Sequence, residues 1–340
     1  MELAHLLDLA GAHASARALQ VALKLGLFEA LADGPIEAAE LARRLGAVAR
    51  ETELLANALV ALGVLNKSAG HFALSPAARR FLLRSSPRYA GGMIEFDEFI
   101  FPLFTRLEEC VRQGAPARRP DMFQNDPEET RRFILAMDSL VRARGDAEYL
   151  AEHLELAGVN TIADIGGGPA TYMLALLARY PALRAAILDL PASLQVARQL
   201  LTVQPAEVRQ RLELVEFDYR RDELPAAVDA IFLSNIVHGE DEAVNRALMA
   251  RCFRGLAPGG RVIIKDHVMS EDLLEPAAGA LFSLYLMLAT RGRDYSFKEI
   301  EAWVRQAGFG KLEWRRLPAP PFNSSLILAW KDGNRMPVAN

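Results

Sequence analysis

The spacing of hydrophobic positions changes part-way along the chain. Through residues 1–85 apolar residues recur at helical intervals in alanine-rich sequence, as at Leu19, Leu23, Leu27 and Leu31. The turn Asp33-Gly-Pro interrupts them. Two further helices are predicted at 38–45 and 51–62, with a turn at Gly46, and residues 63–74 pattern as a two-stranded hairpin. Helix-turn-helix followed by a hairpin is a winged-helix layout. Residues 86–150 hold an aromatic-rich stretch with Phe96, Phe99, Phe101 and Phe104, a loop at Gln113-Gly-Ala-Pro-Ala-Arg-Arg-Pro, and a helix opened by Asp126-Pro-Glu-Glu. The aspartate suits an N-cap, and the glutamates suit the positive end of the helix dipole. From residue 151 short apolar runs alternate with helical periods. Strands are predicted at 161–165, 185–190, 212–217, 229–234 and 261–268, with a closing hairpin at the sheet edge from 313–317 and 325–330.

The first of these strands runs into Gly166-Gly-Gly168, and helical spacing resumes at Met173. Strand, glycine turn and helix make half of a nucleotide-binding unit, in which backbone approaches a ligand with no Cβ in the way. A dinucleotide fingerprint would place glycine where Ala170 stands. The next acidic strand end is Asp189, about 20 residues on, where a carboxylate reaches a ribose hydroxyl pair. Glycine turn plus carboxylate points to adenosine, without specifying NAD. Asp218-Tyr219, Ser234-Asn235, His238 and Asp266-His267 follow later strands. Ligands of open α/β sheets bind beyond the carboxyl ends of the strands.

The 340 residues allow two or three domains. A hydrophobic content of 51%, a charged content of 24% and a net charge of −4 describe a globular protein with no general pull toward nucleic acid or anionic membrane. Two carboxylates in Arg50-Glu-Thr-Glu also stand where a groove-reading helix would meet phosphate. Two cysteines, Cys110 and Cys252, imply neither a disulfide framework nor a structural zinc. No signal peptide is read, and the apolar run 277–289 is too short to span a bilayer. The expectation is a cytoplasmic enzyme with no nucleic-acid or membrane partner.

The motifs Asp164-Ile-Gly-Gly-Gly, Leu188-Asp-Leu-Pro, Phe217-Asp-Tyr, Ser234-Asn-Ile-Val-His, Leu256-Ala-Pro-Gly-Gly-Arg-Val and Gly292-Arg-Asp together resemble those of S-adenosylmethionine-dependent O-methyltransferases of the plant caffeate/hydroxyindole type, which include a bacterial natural-product branch. The resemblance covers nearly the whole chain. It implies an α/β fold: a Rossmann-like class I methyltransferase sheet with helices on both faces, plus an N-terminal all-helical winged-helix dimerisation domain. The expected division is a dimerisation domain at 1–85, linker and pocket helices at 86–150 and a methyltransferase domain at 151–340. It implies S-adenosyl-L-methionine as cofactor, S-adenosyl-L-homocysteine as product, no metal, a small aromatic acceptor, and a homodimer formed through the N-terminal domain. The resemblance assigns Asp164, Gly166, Gly168, Asp189, Leu190, Asp218, Tyr219, Ser234 and Asn235 to the cofactor. Within that set Gly166 lies under the methionine part, Asp189 holds the ribose, Asp218 takes the adenine amino group and Tyr219 packs on the ring. His238 falls on the catalytic base, and Asp266 and Asp294 on two glutamates flanking it. Phe133, Met137, Leu281 and Tyr285 fall on substrate-pocket positions; for Phe133 and Met137 core packing is the competing assignment. Ser234 matches a cofactor-contacting lysine of plant members, and two departures matter: Ala170 replaces the usual glycine, and Gly239-Glu240 an Asp-Trp pair whose aromatic ring would sit beside the cofactor.

The implied reaction is in-line methyl transfer to oxygen. A phenol ionises near pH 10 and an imidazole near 6.5, so complete proton transfer is uphill by about 5 kcal/mol and should accompany methyl transfer. A positioned base contributes about 10²–10⁴ in rate. Neighbouring carboxylates fix the tautomer and stabilise the imidazolium. His267, next to Asp266, is expected on the opposite strand face. Alternatives are N-methylation, non-methylating chemistry on the same cofactor (decarboxylation, hydroxylation or a pericyclic step), an NAD-dependent oxidoreductase, and a DNA-binding winged-helix regulator.

Overall fold

The computed structural model describes residues 2–121, 123–225, 227–318 and 324–332. Its contacts divide the chain into two units, residues 1–101 with 135–143, and residues 102–134 with 144–340.

The first unit opens with the long helix Leu3–Lys24 and continues through Ala38–Leu45 and Ala49–Ala61. Gly46, at φ 62°, ends the first of the paired helices in the left-handed conformation that glycine tolerates. Three antiparallel strands follow the order β1-β3-β2: β1 (Ile36–Glu37), β2 (Leu65–Ser68) and β3 (His71–Leu74). The predicted hairpin is β2–β3. The two residues of β1 add a third strand that periodicity does not register. Leu27, Phe28, Leu31, Leu41, Leu59 and Phe72 close the core of this unit. Leu3, Leu6, Leu7 and Leu9 remain exposed along the first helix.

The second unit is built on a sheet of order β10-β11-β8-β7-β4-β5-β6. Its strands are β4 (Thr161–Ile165), β5 (Arg184–Asp189), β6 (Leu212–Glu216), β7 (Val228–Ser234), β8 (Leu256–Met269), β10 (Leu312–Arg316) and β11 (Ser324–Trp330); the short β9 (Tyr295–Ser296) pairs with the end of β8. Strands β4 to β8 pair in parallel, and β11 and β10 close the edge antiparallel. Strand order reverses between β4 and β7, which makes that junction the switch-point crevice where open sheets bind ligands. The glycine turn follows β4, and the stretch 234–238 follows β7.

Alternation along the central strands explains the layers. Ile231, Leu233, Val262 and Ile264 face one core together with Leu248, Met249 and Cys252 of helix Glu242–Gly255 and with Ile300, Trp303 and Val304 of helix Phe297–Gln306. The second of these helices starts in a capping box between Ser296 and Glu299. Phe232, one residue out of phase, meets Tyr172 of helix Thr171–Arg179 edge-on at 5.3 Å. A fully buried side chain of this size stabilises the fold by roughly 1.5–3 kcal/mol, so both faces hold the strand ends in register. Among the described residues no helix is long and apolar enough to cross a membrane.

Candidate active site

The glycine turn is shaped by what lies under it. Gly166 and Gly168 have φ of 68° and 48°. A Cβ at Gly167 would stand 2.7 Å from the Asp164 carboxylate, and one at Gly166 would run into Ile236. Asp164 is 1% exposed, and neither carboxylate oxygen has a hydrogen-bond partner among the described residues. Burial, and then the charge of Asp189, push its pKa well above the usual range. Ala170 adopts φ 65° and is fully buried. This left-handed backbone costs a residue with a Cβ about 1–2 kcal/mol, which accounts for the glycine expected there.

Asp189 closes the turn from β5. Its Oδ2 accepts from the Gly168 N–H at 2.8 Å and its Oδ1 from the Leu190 N–H at 2.7 Å. Burial raises its pKa, against those two hydrogen bonds and a third with the Ser193 side chain. At the end of β6, Asp218 Oδ1 accepts from the Arg220 N–H at 3.0 Å. The Tyr219 hydroxyl donates to Glu240 Oε1 at 2.5 Å. Burial, and then Glu240, push that phenol well above its ordinary range. Ser234 ends β7 beside Lys265 of β8. Asn235 turns the chain at φ 56°, its N–H donating to the Lys265 carbonyl at 2.9 Å.

The chain then makes a short 3₁₀ turn, Val237–Gly239, which carries His238. His238 Nδ1 lies 2.6 Å from Asp266 Oδ1 and 3.9 Å from Asp294 Oδ1. Asp266 also accepts from the Val237 N–H at 3.1 Å and from its own successor, the His267 N–H, at 2.8 Å. Burial alone would depress the imidazole. The charge and hydrogen bond of Asp266, with Asp294 beyond, outweigh it and raise His238 above the usual histidine value. Burial likewise opposes the ionised form of Asp266, but His238 holds its pKa below the carboxylate norm. An Nδ1–H donating to the carboxylate leaves Nε2 as the basic nitrogen.

His267 departs from expectation. Its ring stacks on His238 with centroids 5.5 Å apart, and its Nδ1 lies 3.5 Å from Asp294 Oδ1. Strand alternation separates it from Asp266, but His238 comes from a different element and stands over the strand end, within reach of both. Burial lowers the pKa of His267. Phe282, on helix Ala277–Ala289, meets both imidazoles edge-on at 5.3 and 5.2 Å, and Tyr285 packs against it at 5.6 Å.

The turn is locked from several sides. Asn245 donates to the Val237 carbonyl at 2.8 Å, and the Tyr295 hydroxyl to the Glu240 carbonyl at 2.7 Å. A Cβ at Gly292 would strike the His238 carbonyl oxygen and the Glu240 amide nitrogen. Glu240, 2% exposed, also takes an ion pair from Arg220 at 2.5 Å. Glu240 therefore ties the end of β6 to the loop after β7.

Of the pocket positions, Phe133 stacks on Phe123 with centroids 5.0 Å apart. Leu281 is 66% exposed, and its neighbour Phe282 occupies the place beside the histidines. Met137 belongs to the first unit and is half-buried there.

Comparison with known proteins identifies the family. The profile of the O-methyltransferase domain matches residues 114–310, and that of the O-methyltransferase dimerisation domain matches residues 7–84. The chain belongs to the O-methyltransferase family. It is 33% identical to a 3-hydroxy-5-methyl-1-naphthoate 3-O-methyltransferase of Streptomyces sahachiroi, over 94% of this chain and 92% of that protein. It is 32% identical to the tetracenomycin polyketide synthesis 8-O-methyl transferase TcmO of Streptomyces glaucescens, over 93% and 94%. The solved structure of PigF with SAH superposes with a TM-score of 0.85 at 28% identity, covering 97% of this chain and all of that one. The enzyme is an S-adenosylmethionine-dependent O-methyltransferase with an N-terminal dimerisation domain.

Proposed function

We propose that this O-methyltransferase methylates a hydroxyl group of a small, flat aromatic metabolite, with His238 as general base and Asp266 and Asp294 as its carboxylate partners. The observation that carries this is the 2.6 Å contact of a buried carboxylate with His238 Nδ1 at the switch point of the sheet. The residues around the glycine turn fit an adenosyl sulfonium with an ammonium group: the buried Asp164 carboxylate has no hydrogen-bond partner among the described residues, and the Asp189 carboxylate keeps acceptor capacity beyond its bonds to Gly168, Leu190 and Ser193. When bound, S-adenosyl-L-methionine supplies an electrophilic methyl group and leaves as S-adenosyl-L-homocysteine. Gly166 and Gly168 would bracket the methionine part, Asp189 and Leu190 the ribose, Asp218 and Tyr219 the adenine, and Ser234 and Asn235 the neighbouring wall. Phe133 and Tyr285 would contact the acceptor.

His238 Nε2 takes the acceptor proton as its oxygen attacks. The raised pKa of the ring narrows the gap to a phenol, which for unperturbed groups is about 5 kcal/mol. Asp266 holds the tautomer, and both carboxylates stabilise the imidazolium that forms. The relatives named for a hydroxynaphthoate and for a polyketide pathway favour an aromatic natural-product acceptor. The leucines exposed on helix Leu3–Lys24 favour a homodimer through the dimerisation domain.

The test is to incubate the enzyme with methyl-labelled S-adenosylmethionine and a panel of hydroxynaphthoates and hydroxylated polyketide aromatics. Label in an aryl ether is expected. Label confined to nitrogen, or a product formed without label transfer, would overturn the proposal.

A further inference from the structure

We propose that His238, Asp266, His267 and Asp294 form a binding site for one zinc-class divalent cation, and that the bound ion silences the enzyme by seizing His238 Nδ1. The four side chains offer two imidazole nitrogens and two carboxylate oxygens, all within 4.8 Å of one another. All four are buried: 9% and 7% exposure for the histidines and 1% for each aspartate. Asp294 is the independent sign. Its backbone N–H donates to Ser283 Oγ, yet both carboxylate oxygens are buried with no hydrogen-bond partner among the described residues, and Oδ1 lies 3.5 Å from one imidazole and 3.9 Å from the other. A buried carboxylate left in this way gains from a cation.

The geometry selects the ion. Tetrahedral zinc with bonds of about 2.0–2.1 Å separates its ligand atoms by about 3.3 Å. The His267–Asp294 distance of 3.5 Å is already near that. The His238–Asp294 distance of 3.9 Å must close by about 0.6 Å, and the His238–Asp266 contact of 2.6 Å must open by about 0.7 Å. Mixed imidazole and carboxylate donors suit zinc, cobalt or nickel. Magnesium and calcium prefer all-oxygen shells, which a site with two imidazole donors fits poorly.

The consequence for turnover rests on the assignment of His238 as base; the binding does not. With the ion on Nδ1 the remaining ring proton sits on Nε2, so the nitrogen that would accept the acceptor proton is already protonated. If His238 is an imidazolium beforehand, one proton leaves to solvent on binding. His267 is a ligand here but is assigned no proton-transfer step, which gives the test its contrast.

The cofactor-free full-length enzyme is titrated with Co²⁺, read by its visible absorption, and then with Zn²⁺ in competition. One intensely absorbing tetrahedral Co²⁺ per chain is expected, displaced by Zn²⁺ and not by Mg²⁺. Loss of an outer-shell partner typically weakens a metal site about 10–100-fold. Losing a direct ligand in His267→Gln or Asp294→Asn should weaken binding by at least that. His267→Gln should still transfer methyl and resist Zn²⁺ at concentrations that stop the wild type. Absence of the tetrahedral spectrum in the wild type, or equal Co²⁺ affinity in both variants, would overturn the site. If a His238→Ala enzyme turned over normally, only the account of inhibition would fall, because binding is read without turnover.

Discussion

Replacing Asp266 by asparagine keeps shape and volume and changes only what the side chain can accept. Three donors converge on this carboxylate: His238 Nδ1–H and the His267 N–H on Oδ1, and the Val237 N–H on Oδ2. An amide has one acceptor end. If its oxygen faces His238, its NH₂ opposes the Val237 N–H across about 3.1 Å and leaves a buried donor unsatisfied, at roughly 1–3 kcal/mol. If its NH₂ faces His238, the imidazole must accept at Nδ1 and carry its proton on Nε2, the tautomer that cannot act as base. Either outcome degrades the base, and loss of about 10²–10⁴ in kcat/KM is expected, the range that a positioned base contributes. The pH profile should move as well. In the wild type the raised His238 pKa places the ascending limb of kcat/KM above pH 6.5, because the ring must be unprotonated to act. Without the Asp266 charge, burial outweighs the remaining pull of Asp294, so the limb shifts to lower pH while the plateau falls. The assay is kcat/KM against pH with labelled methyl donor, alongside cofactor affinity by calorimetry. Activity within about threefold of wild type, with an unmoved limb, would refute the role assigned to the carboxylate.

Other perturbations separate support from chemistry. Gly292→Ala should push the His238 turn aside, lowering kcat by about 10² for a displacement near 1 Å with little change in cofactor affinity; unchanged kcat would show that the turn yields without cost. Glu240→Gln removes a buried charge shared by Tyr219 and Arg220 and should lower Tm by several degrees and weaken cofactor binding; a thermal scan and a binding titration check this, and two unchanged values would contradict it. Phe282→Ala should reduce kcat/KM through loosened imidazoles, whereas Leu281→Ala, on the exposed side of the same helix, should leave it near wild type; the reverse order in steady-state kinetics would reassign the pocket wall.

Most of the sheet was legible because the central strands are short apolar runs, and those at 161–165 and 184–189 are closed by a glycine turn and an aspartate. Ile36–Glu37 was not, because two residues cannot display a period. The site was legible where chemistry sits at strand ends: Asp189, His238 and Asp266 all lie at the carboxyl edge. His267 was misplaced because alternation constrains neighbours on one strand and says nothing about a residue that arrives from a separate turn. Phe282 is not legible for a related reason: helix Ala277–Ala289 is apolar on all sides, so the pattern carries no phase. Glu240 looked like the loss of an aromatic platform. Its partner Arg220 stands 20 residues upstream, on the far side of β7, and only the fold brings the two together.

The most direct measurement of the central claim is the single-turnover rate of methyl transfer in a His238→Ala enzyme, taken beside its affinity for S-adenosylmethionine. The arrangement at the end of β7 predicts a rate at least about a hundredfold below wild type, with cofactor affinity changed by no more than a few fold. A rate close to wild type with intact cofactor binding would contradict it and would move the proton to another acceptor.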